Sequence, residues 1–368
     1  DGLSKDALPS TNDYLNLLLE GVPMIDVRAP IESQTGALPF ATNLPLMTDD
    51  ERHQVGICYK EQGQKEAIAL GHELVCGSSK EARVDAWRTF FVTAPTAVLY
   101  CARGGLRSQL SQQWLDDVGI SCPRVEGGYK SLRQFMLQYL ADSCETQSFA
   151  LLSGMTGTGK TDIIKTLDTS VDLEGAANHK GSSFGRPLDE QPAQIDFENQ
   201  IILDLMQVQH KYPGRRIILE DESRNIGGRH ILQPLTIAMA ESPMAVIELP
   251  FEERIDKLWQ EYVVERYQQT MAYHSENGEQ AFADYLVDSL LRVRKRLGGQ
   301  RTKKILSLME GAIKHQHNDQ FASHRGWLEA ITADYYDPMY LYQLDKRKQR
   351  IAFRGNHQDV IQWLHEKQ

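Results

Sequence analysis

The chain is 368 residues long, enough for two or three domains of ~100–200 residues, each able to bury its own core, and this excludes a peptide or a disulfide-stapled mini-protein. Hydrophobic residues make up 41% and charged residues 24%, and no apolar run approaches the ~18–20 residues that span a bilayer, so a membrane protein is excluded. The net charge of −10 argues against a uniformly basic nucleic-acid coat but leaves room for a local basic surface. The opening residues DGLSKDALPSTNDYL lack the basic and apolar regions of a secretory leader, and a cytoplasmic protein is expected. Five scattered cysteines (Cys58, Cys76, Cys101, Cys122, Cys144) with no C-x-x-C pair signal neither a disulfide framework nor a structural zinc.

In chain order, Pro23–Val27 and Ala97–Tyr100 read as short buried strands, and Arg107 to Val118 has helical spacing that stops at Gly119. Between Thr48 and Glu81 a polar, glycine-punctuated, helical stretch is longer than the usual connection in a compact α/β domain and reads as an insertion. Polar residues from Ala141 to Gln147 set a boundary near Asp142. A second α/β unit then begins, with strands predicted at Phe149–Ser153, Arg216–Glu220 and Ala245–Leu249 and helices after Gly159 and across Gln194–Gln209. This pattern suits a mostly parallel sheet covered on both faces. Beyond Pro250 the periodicity is mainly helical, broken at Gly298-Gly299. The expected organisation is an α/β domain over 1–142, a second α/β domain over 146–250 and a helical C-terminal region over 251–368.

Gly154-Met155-Thr156-Gly157-Thr158-Gly159-Lys160-Thr161 fits G-x-x-x-x-G-K-[ST], follows a predicted strand and opens a predicted helix, as a phosphate-binding P-loop must. Its glycines let backbone N–H groups turn inward around phosphate oxygens, Lys160 reaches the terminal phosphate, and the Thr161 hydroxyl can hold Mg²⁺. The cradle specifies a polyphosphate, not a nucleotide. Glu220-Asp221-Glu222 at the end of the strand Ile217–Leu219 is the candidate source of a metal-binding carboxylate, with Glu220 and Glu222 preferred and a surface turn the alternative for each. A further segment, His179–Arg186, combines glycines, hydroxyls and cations and reads either as a lid over an anion or as a plain surface loop.

Cys101 stands apart from the other cysteines, which read as small buried hydrophobes. The strand Ala97–Tyr100 delivers it into Cys101-Ala102-Arg103-Gly104-Gly105-Leu106-Arg107-Ser108, a strand-to-helix turn. Backbone N–H groups, a helix N-terminus, Arg103 and Arg107 would stabilise a thiolate there, making Cys101 a nucleophile or chalcogen carrier.

The surroundings of that loop carry a resemblance. Met24-Ile25-Asp26-Val27-Arg28 with Glu32, Gly36-Ala37-Leu38-Pro39, Ala41-Thr42-Asn43-Leu44-Pro45, the Cys101 loop and Val125-Glu126-Gly127-Gly128-Tyr129 resemble the rhodanese family over about the first 140 residues, which implies an N-terminal rhodanese-like α/β fold. The His-Ile-Pro-Gly portion of that family's early motif is not matched, and the loop runs Cys, five residues, Arg. Sulfur-transfer rhodaneses usually have one residue fewer, and the longer spacing is similar to the phosphatase branch of the fold. The cargo is then either a chalcogen larger than sulfur or a phosphoryl group.

From Ser289 to Met309 the cations Arg292, Arg294, Lys295, Arg296, Arg301, Lys303 and Lys304 occur with no acid among them, and Lys346, Arg347, Lys348, Arg350 and Arg354 follow. Such clusters bind RNA phosphates or form a solvated helix face. Tyr335, Tyr336, Tyr340 and Tyr342 lie between them and either stack an unpaired base or pack in the core.

Together the Cys101 loop, the P-loop and Glu220-Asp221-Glu222-Ser223-Arg224 resemble the tRNA 2-selenouridine synthase family over essentially the whole chain. The resemblance implies a transferase that geranylates the wobble 2-thiouridine of tRNA with geranyl diphosphate and then replaces the geranylated sulfur with selenium from selenophosphate. It also implies contact with a selenophosphate-producing enzyme. The diphosphate leaving group would sit on Gly154, Thr156, Gly157, Thr158, Gly159, Lys160 and Thr161, with Mg²⁺ on Thr161, and Cys101 would serve the chalcogen exchange. No single apolar stretch can be assigned to the geranyl chain. The rival readings are a P-loop kinase or nucleotide hydrolase with a regulatory rhodanese-like or phosphatase-like domain, and an RNA-binding scaffold without catalysis.

Overall fold

The structure, a computed structural model, describes residues 8–366; the first seven residues of the segment read for a leader lie outside the described residues. The chain divides into two compact units: one is formed by the chain up to Asp142 with Ala193–Gln207, the other by Ser143–Pro192 and the chain from Val208 onward.

The first unit is built on a five-stranded sheet of β1 (Ser10–Thr11), β2 (Met24–Asp26), β3 (Ala41–Asn43), β4 (Val98–Tyr100) and β5 (Arg124–Val125), in the order β1-β5-β4-β2-β3. Every pairing is parallel, so the strands need helical crossovers and are buried on both faces. That explains why β2 and β4 read as apolar runs without alternation. The insertion is helical throughout, over Asp49–Gln62, Gln64–Leu74 and Gly77–Thr93. Its first helix opens on a capping box between Thr48 and Glu51 and stops at Gly63, whose φ of 97° takes the chain out of the helix. It completes the core, in which Trp87, fully buried, stacks on Trp114 at 6.2 Å between ring centroids and donates its indole N–H to the Leu44 carbonyl at 2.8 Å.

Sequence reading assigns the helix Gln194–Lys211 to the P-loop domain, but its residues up to Gln207 belong to the first unit. Polar contacts distant in sequence hold it there. The Ala37 N–H donates to Asp196 at 2.8 Å, and Asn199 donates to the Ala37 carbonyl at 2.9 Å and to the Tyr129 hydroxyl at 3.0 Å. Gly36 is required beneath it, since a Cβ there would lie 2.4 Å from Ile195 Cγ2.

The second unit has a sheet of β6 (Phe149–Gly154), β7 (Ser170–Val171), β8 (Ile217–Glu220), β11 (Met244–Ile247) and β12 (Ile351–Gly355), ordered β12-β11-β6-β8-β7 and parallel throughout. A short hairpin, β9 (Asn225–Ile226) with β10 (Arg229–His230), stands beside it in sequence. The helical region from Phe251 is not a unit of its own: β12 returns to pair with β11 at the sheet edge, and Val360 and Leu364 of the last helix join the core with Leu152, Ile163 and Ile247. The strand escapes sequence reading because its side chains are half-buried or exposed in alternation, with Arg354 among them. A second core, around Phe184, Phe282, Trp327 and Ile305, lies among the helices of residues 251–336. No helix among the described residues is long and apolar enough to cross a membrane.

Candidate active sites

Each sheet places one of the two candidate loops at the carboxyl end of a central strand, where open parallel sheets form their ligand crevices. In the first unit β4 delivers Cys101 into the turn that opens the helix Leu106–Asp116. The turn is clamped by the segment that follows β5: Tyr129 N–H donates to the Cys101 carbonyl at 2.9 Å and Lys130 N–H to the Ala102 carbonyl at 3.0 Å. Gly128 makes this approach possible. Its φ is +60°, and a Cβ would stand 2.2 Å from the Cys101 carbonyl oxygen.

Cys101 is 2% exposed, with Sγ 3.2 Å from Ser108 Oγ. Burial pushes its thiol up, but the Ser108 hydroxyl, the backbone N–H groups of Arg103 and Ser108, and the Arg107 charge together hold it below the ordinary thiol value. Burial alone does the opposite to the structural cysteines: Cys122 is pushed up to about 12 and Cys144 to about 11. Arg103 acts through its backbone, its side chain being exposed. Arg107 reaches the thiol only by its field, because its guanidinium forms a two-pronged pair with Glu32 at 2.6 and 3.1 Å. Behind the loop, Arg28 is paired with the fully buried Asp26 at 2.6 Å and lies 4.1 Å over the Tyr129 ring, fixing the strand ends that frame the turn.

An apolar cavity of about 240 Å³ opens beside this turn. Leu46, Met47, Val55 and Ile68 line it on one side, and Leu106, Arg107, Leu110 and Trp114 of the helix after Cys101 on the other. Sequence reasoning assigns no apolar groove because the lining is drawn from a loop and from separate helices, a few residues from each.

In the second unit the P-loop spans the end of β6 and the start of the helix Lys160–Thr166. Gly157 has a φ of +86°, and a Cβ there would meet the Arg254 carbonyl at 2.8 Å, so only glycine fits. Thr158 Oγ1 donates to the Met155 carbonyl at 2.8 Å and Arg254 to the Thr156 carbonyl at 3.2 Å. Gly159 takes a φ of 77° at the helix start, and Lys160 Nζ folds back onto the Gly154 carbonyl at 2.9 Å.

The acids divide. Asp221 is committed elsewhere, accepting from Ser153 Oγ at 2.7 Å and from both Arg347 prongs at 2.6 and 2.9 Å. Glu220 is fully buried, with Oε2 on the Leu173 N–H at 2.9 Å and Oε1 without a partner. Burial, then the charges of Glu174, Asp172 and Glu222, drive its carboxyl well above the usual range. Burial and Glu174 push Glu222 up to about 8. Glu174, which sequence reasoning passes over, links the parts: it accepts from Thr161 Oγ1 at 2.8 Å and from the Gly181 N–H at 2.5 Å. Its only signal is its place just after β7. The donor set of Thr161, Glu174 and Glu222 is hard oxygen, and two carboxylates crowded beside a hydroxyl suit a divalent cation, although among the described residues no group of three or more His, Cys, Asp or Glu is arranged as a metal site.

The segment His179–Arg186 is more than a surface loop. Gly181 abuts Glu174 and Glu222, Ser182 and Ser183 hydrogen-bond to Tyr262 and Tyr336 at 2.7 and 2.5 Å, and Phe184 stacks on Trp327 at 5.2 Å.

The first cationic run straddles the Gly298 break between the helices Gly278–Leu297 and Gly299–His315. Arg292, Arg294, Lys295, Arg296, Arg301, Lys303 and Lys304 are all exposed, while Val293, Leu297, Thr302 and Ile305 face the core. In the second run Arg347 pairs with the buried Asp221 and Arg350 caps the Met239 and Ser242 carbonyls, so these two are structural, whereas Lys348 and Arg354 meet Asp345 and Glu248 in pairs exposed at the surface. Of the four tyrosines, Tyr335 and Tyr336 are core, Tyr340 hydrogen-bonds to Ser153 Oγ at 2.9 Å, and Tyr342 is 61% exposed.

Residues 147–368 match the family model described as the tRNA 2-selenouridine synthase AAA domain. Curated relatives named tRNA 2-selenouridine synthase are similar over nearly their full length. That of Marinobacter nauticus is 48% identical over 360 residues, spanning 96% of this chain and 97% of its own, and that of Hahella chejuensis 46% identical over 347 residues, spanning 94% and 92%. That of Salmonella typhimurium is 45% identical over 354 residues, spanning 96% and 97%. A P-loop unit joined to a unit carrying an activated cysteine, matched end to end by such relatives, means that the chain belongs to the tRNA 2-selenouridine synthase family.

Proposed function

We propose that the chain converts 2-thiouridine at the tRNA wobble position into 2-selenouridine in two steps, served by different loops. In the first, the uridine sulfur attacks C1 of geranyl diphosphate; a C–S bond forms, the C–O bond breaks and diphosphate leaves. The P-loop backbone N–H groups and Lys160 stabilise the charge developing on that leaving group, and Lys160 exchanges its Gly154 carbonyl for phosphate oxygen. A Mg²⁺ held by Thr161 with Glu174 and Glu222 would neutralise further charge on the diphosphate.

In the second step the C2–S bond breaks, geranylthiol departs, and selenium from selenophosphate takes its place, with water accepting the phosphoryl group as phosphate. The Cys101 thiolate adds to C2 and displaces geranylthiol, forming a C2–S bond to the cysteine, and the selenium nucleophile then breaks that bond and returns the thiolate, with no change of oxidation state. The apolar cavity beside Arg107 is large enough for the hydrocarbon of the geranylated base as its sulfur leaves. The exposed run from Arg292 to Lys304 binds tRNA phosphates, and a tRNA substrate places the reaction in the cytoplasm. A selenophosphate-producing enzyme is the natural supplier of the second substrate.

The observation that carries this reading is the coexistence of a thiol held below its ordinary value and a P-loop backed by crowded carboxylates. The test is incubation with a 2-thiouridine tRNA, geranyl diphosphate, Mg²⁺ and selenophosphate, omitting each small molecule in turn, with nucleosides read by mass spectrometry. Geranylthiouridine without selenophosphate and selenouridine with both are expected. Lys160→Ala should block geranylation, and Cys101→Ala only selenium incorporation. Unchanged 2-thiouridine with folded protein would overturn the reading in favour of a P-loop kinase or hydrolase.

A further inference from the structure

A cavity of about 480 Å³ in the second unit is lined by Arg186, Arg266 and Arg292, with Tyr285 at its wall. None of these arginines is in an ion pair among the described residues. Arg266 lies 4.1 Å over the Tyr285 ring and donates to the Arg186 carbonyl at 2.7 Å, while Arg186 has only long contacts, to the Tyr285 carbonyl at 3.4 Å and Ser289 Oγ at 3.3 Å. The Nε atoms of both Arg186 and Arg266 are buried without an acceptor. A guanidinium has five donors and cannot shed its charge, so these two buried Nε–H groups are left without a protein acceptor at the cavity. Burial, and for Arg186 the neighbouring Arg292 charge, lower both from the ordinary arginine value.

The cavity also has acids at its edge. Asp189 accepts from Asn178 at 3.0 Å, Asp284 from Gln280 at 2.8 Å, and Asp288 is exposed. They temper the field without neutralising any one guanidinium. Two half-buried guanidinium forks, that of Arg266 held by an aromatic face and a carbonyl, beside the exposed Arg292 and with no carboxylate paired to any of them, form an arrangement that recognises tetrahedral oxyanions.

We propose that the cavity framed by Arg186, Arg266 and Arg292 is a phosphate-binding site separate from the P-loop. The phosphate belongs either to the backbone of bound tRNA, since Arg292 begins the exposed cationic run, or to a small phosphate compound such as selenophosphate. The choice between these sources rests on the function proposed above; the site itself does not.

Two measurements on the full chain decide. The first is the dependence of tRNA affinity on salt, comparing the wild-type chain with Arg186→Gln. The second is calorimetric titration with inorganic phosphate in the Lys160→Ala chain, so that the P-loop does not respond, with and without Arg186→Gln. Loss of about 0.7–0.9 from the log–log salt slope assigns the site to RNA phosphate. An unchanged slope with at least tenfold weaker phosphate binding assigns it to a small phosphate. Neither effect, in protein with an unaltered circular dichroism spectrum and melting temperature, overturns the proposal. If Arg186→Gln does not fold, Arg186→Lys keeps charge and stem but loses the fork, and phosphate affinity unchanged in that variant is equally fatal. Failure of the wild-type chain to bind tRNA would instead count against the proposed function and leave the phosphate titration to judge the site.

Discussion

Ser108→Ala should slow the reaction of Cys101 at neutral pH without removing the cysteine. Ser108 is fully buried, 3.2 Å from Sγ, and its one hydroxyl proton is given to the Gly105 carbonyl at 2.9 Å while Cys101 is a thiol. On ionisation that proton must turn to the thiolate. A hydrogen bond to a charged group contributes about 1.5–3 kcal/mol, and the surrendered neutral one about 0.5–1.5, leaving about 1.3 kcal/mol in favour of the thiolate. That corresponds to about a tenfold loss of thiolate wherever thiol predominates. A more basic thiolate is also more nucleophilic, with a Brønsted coefficient of about 0.4–0.5, so the observed rate should fall about threefold below the midpoint and rise about threefold on the alkaline plateau. Iodoacetamide labelling of the Cys101 peptide, followed by mass spectrometry across pH, reads both limbs. A midpoint that stays in place or moves to lower pH would refute the assignment of Ser108 as a stabiliser of the thiolate.

Three other perturbations follow from the same geometry. Gly128→Ala places a Cβ 2.2 Å from the Cys101 carbonyl at a φ of +60°; strain and displacement of about 2–4 kcal/mol should lower the melting temperature and abolish the enhanced labelling of Cys101, and a variant labelled like wild type would show the clamp to be dispensable. Glu222 is pushed up to about 8 from an ordinary 4.5, so the folded chain binds more protons than the unfolded one between those values, and its contribution to stability is full below about 4.5 and lost as pH rises through about 8. Glu222→Gln should therefore lose less melting temperature than wild type between pH 5.5 and 8.5; parallel curves would exclude a raised acid. Arg347→Ala leaves Asp221, with its side chain 4% exposed, without its ion pair, at a cost of about 2–3 kcal/mol after discounting the buried-pair range for solvent at Arg347, measurable by urea denaturation. Its tRNA salt slope should match wild type, and a reduced slope would return Arg347 to the RNA surface.

The amino-acid sequence by itself determined whatever depends on neighbouring residues. Parallel strands buried on both faces announce themselves as apolar runs, so β2, β4, β6, β8 and β11 are legible, and the P-loop and the Cys101 turn are contiguous segments whose glycines, cations and hydroxyls must lie in a fixed order. The exposed run from Arg292 to Lys304 is legible for the same reason, being interleaved with a helical apolar face. Tertiary structure alone decided which groups meet across long separations. Glu174 reaches Thr161 and Gly181 because β7 sets it beside the P-loop, and the same packing raises Glu222, which a sequence can only record as one of three successive acids. Arg347 looks like an RNA-binding cation until folding pairs it with the buried Asp221. The apolar cavity beside Cys101, the arginine cavity around Tyr285, and the place of residues 193–207 in the first unit share one cause. Each is assembled from residues tens to more than a hundred positions apart, and local periodicity carries no information about such pairs.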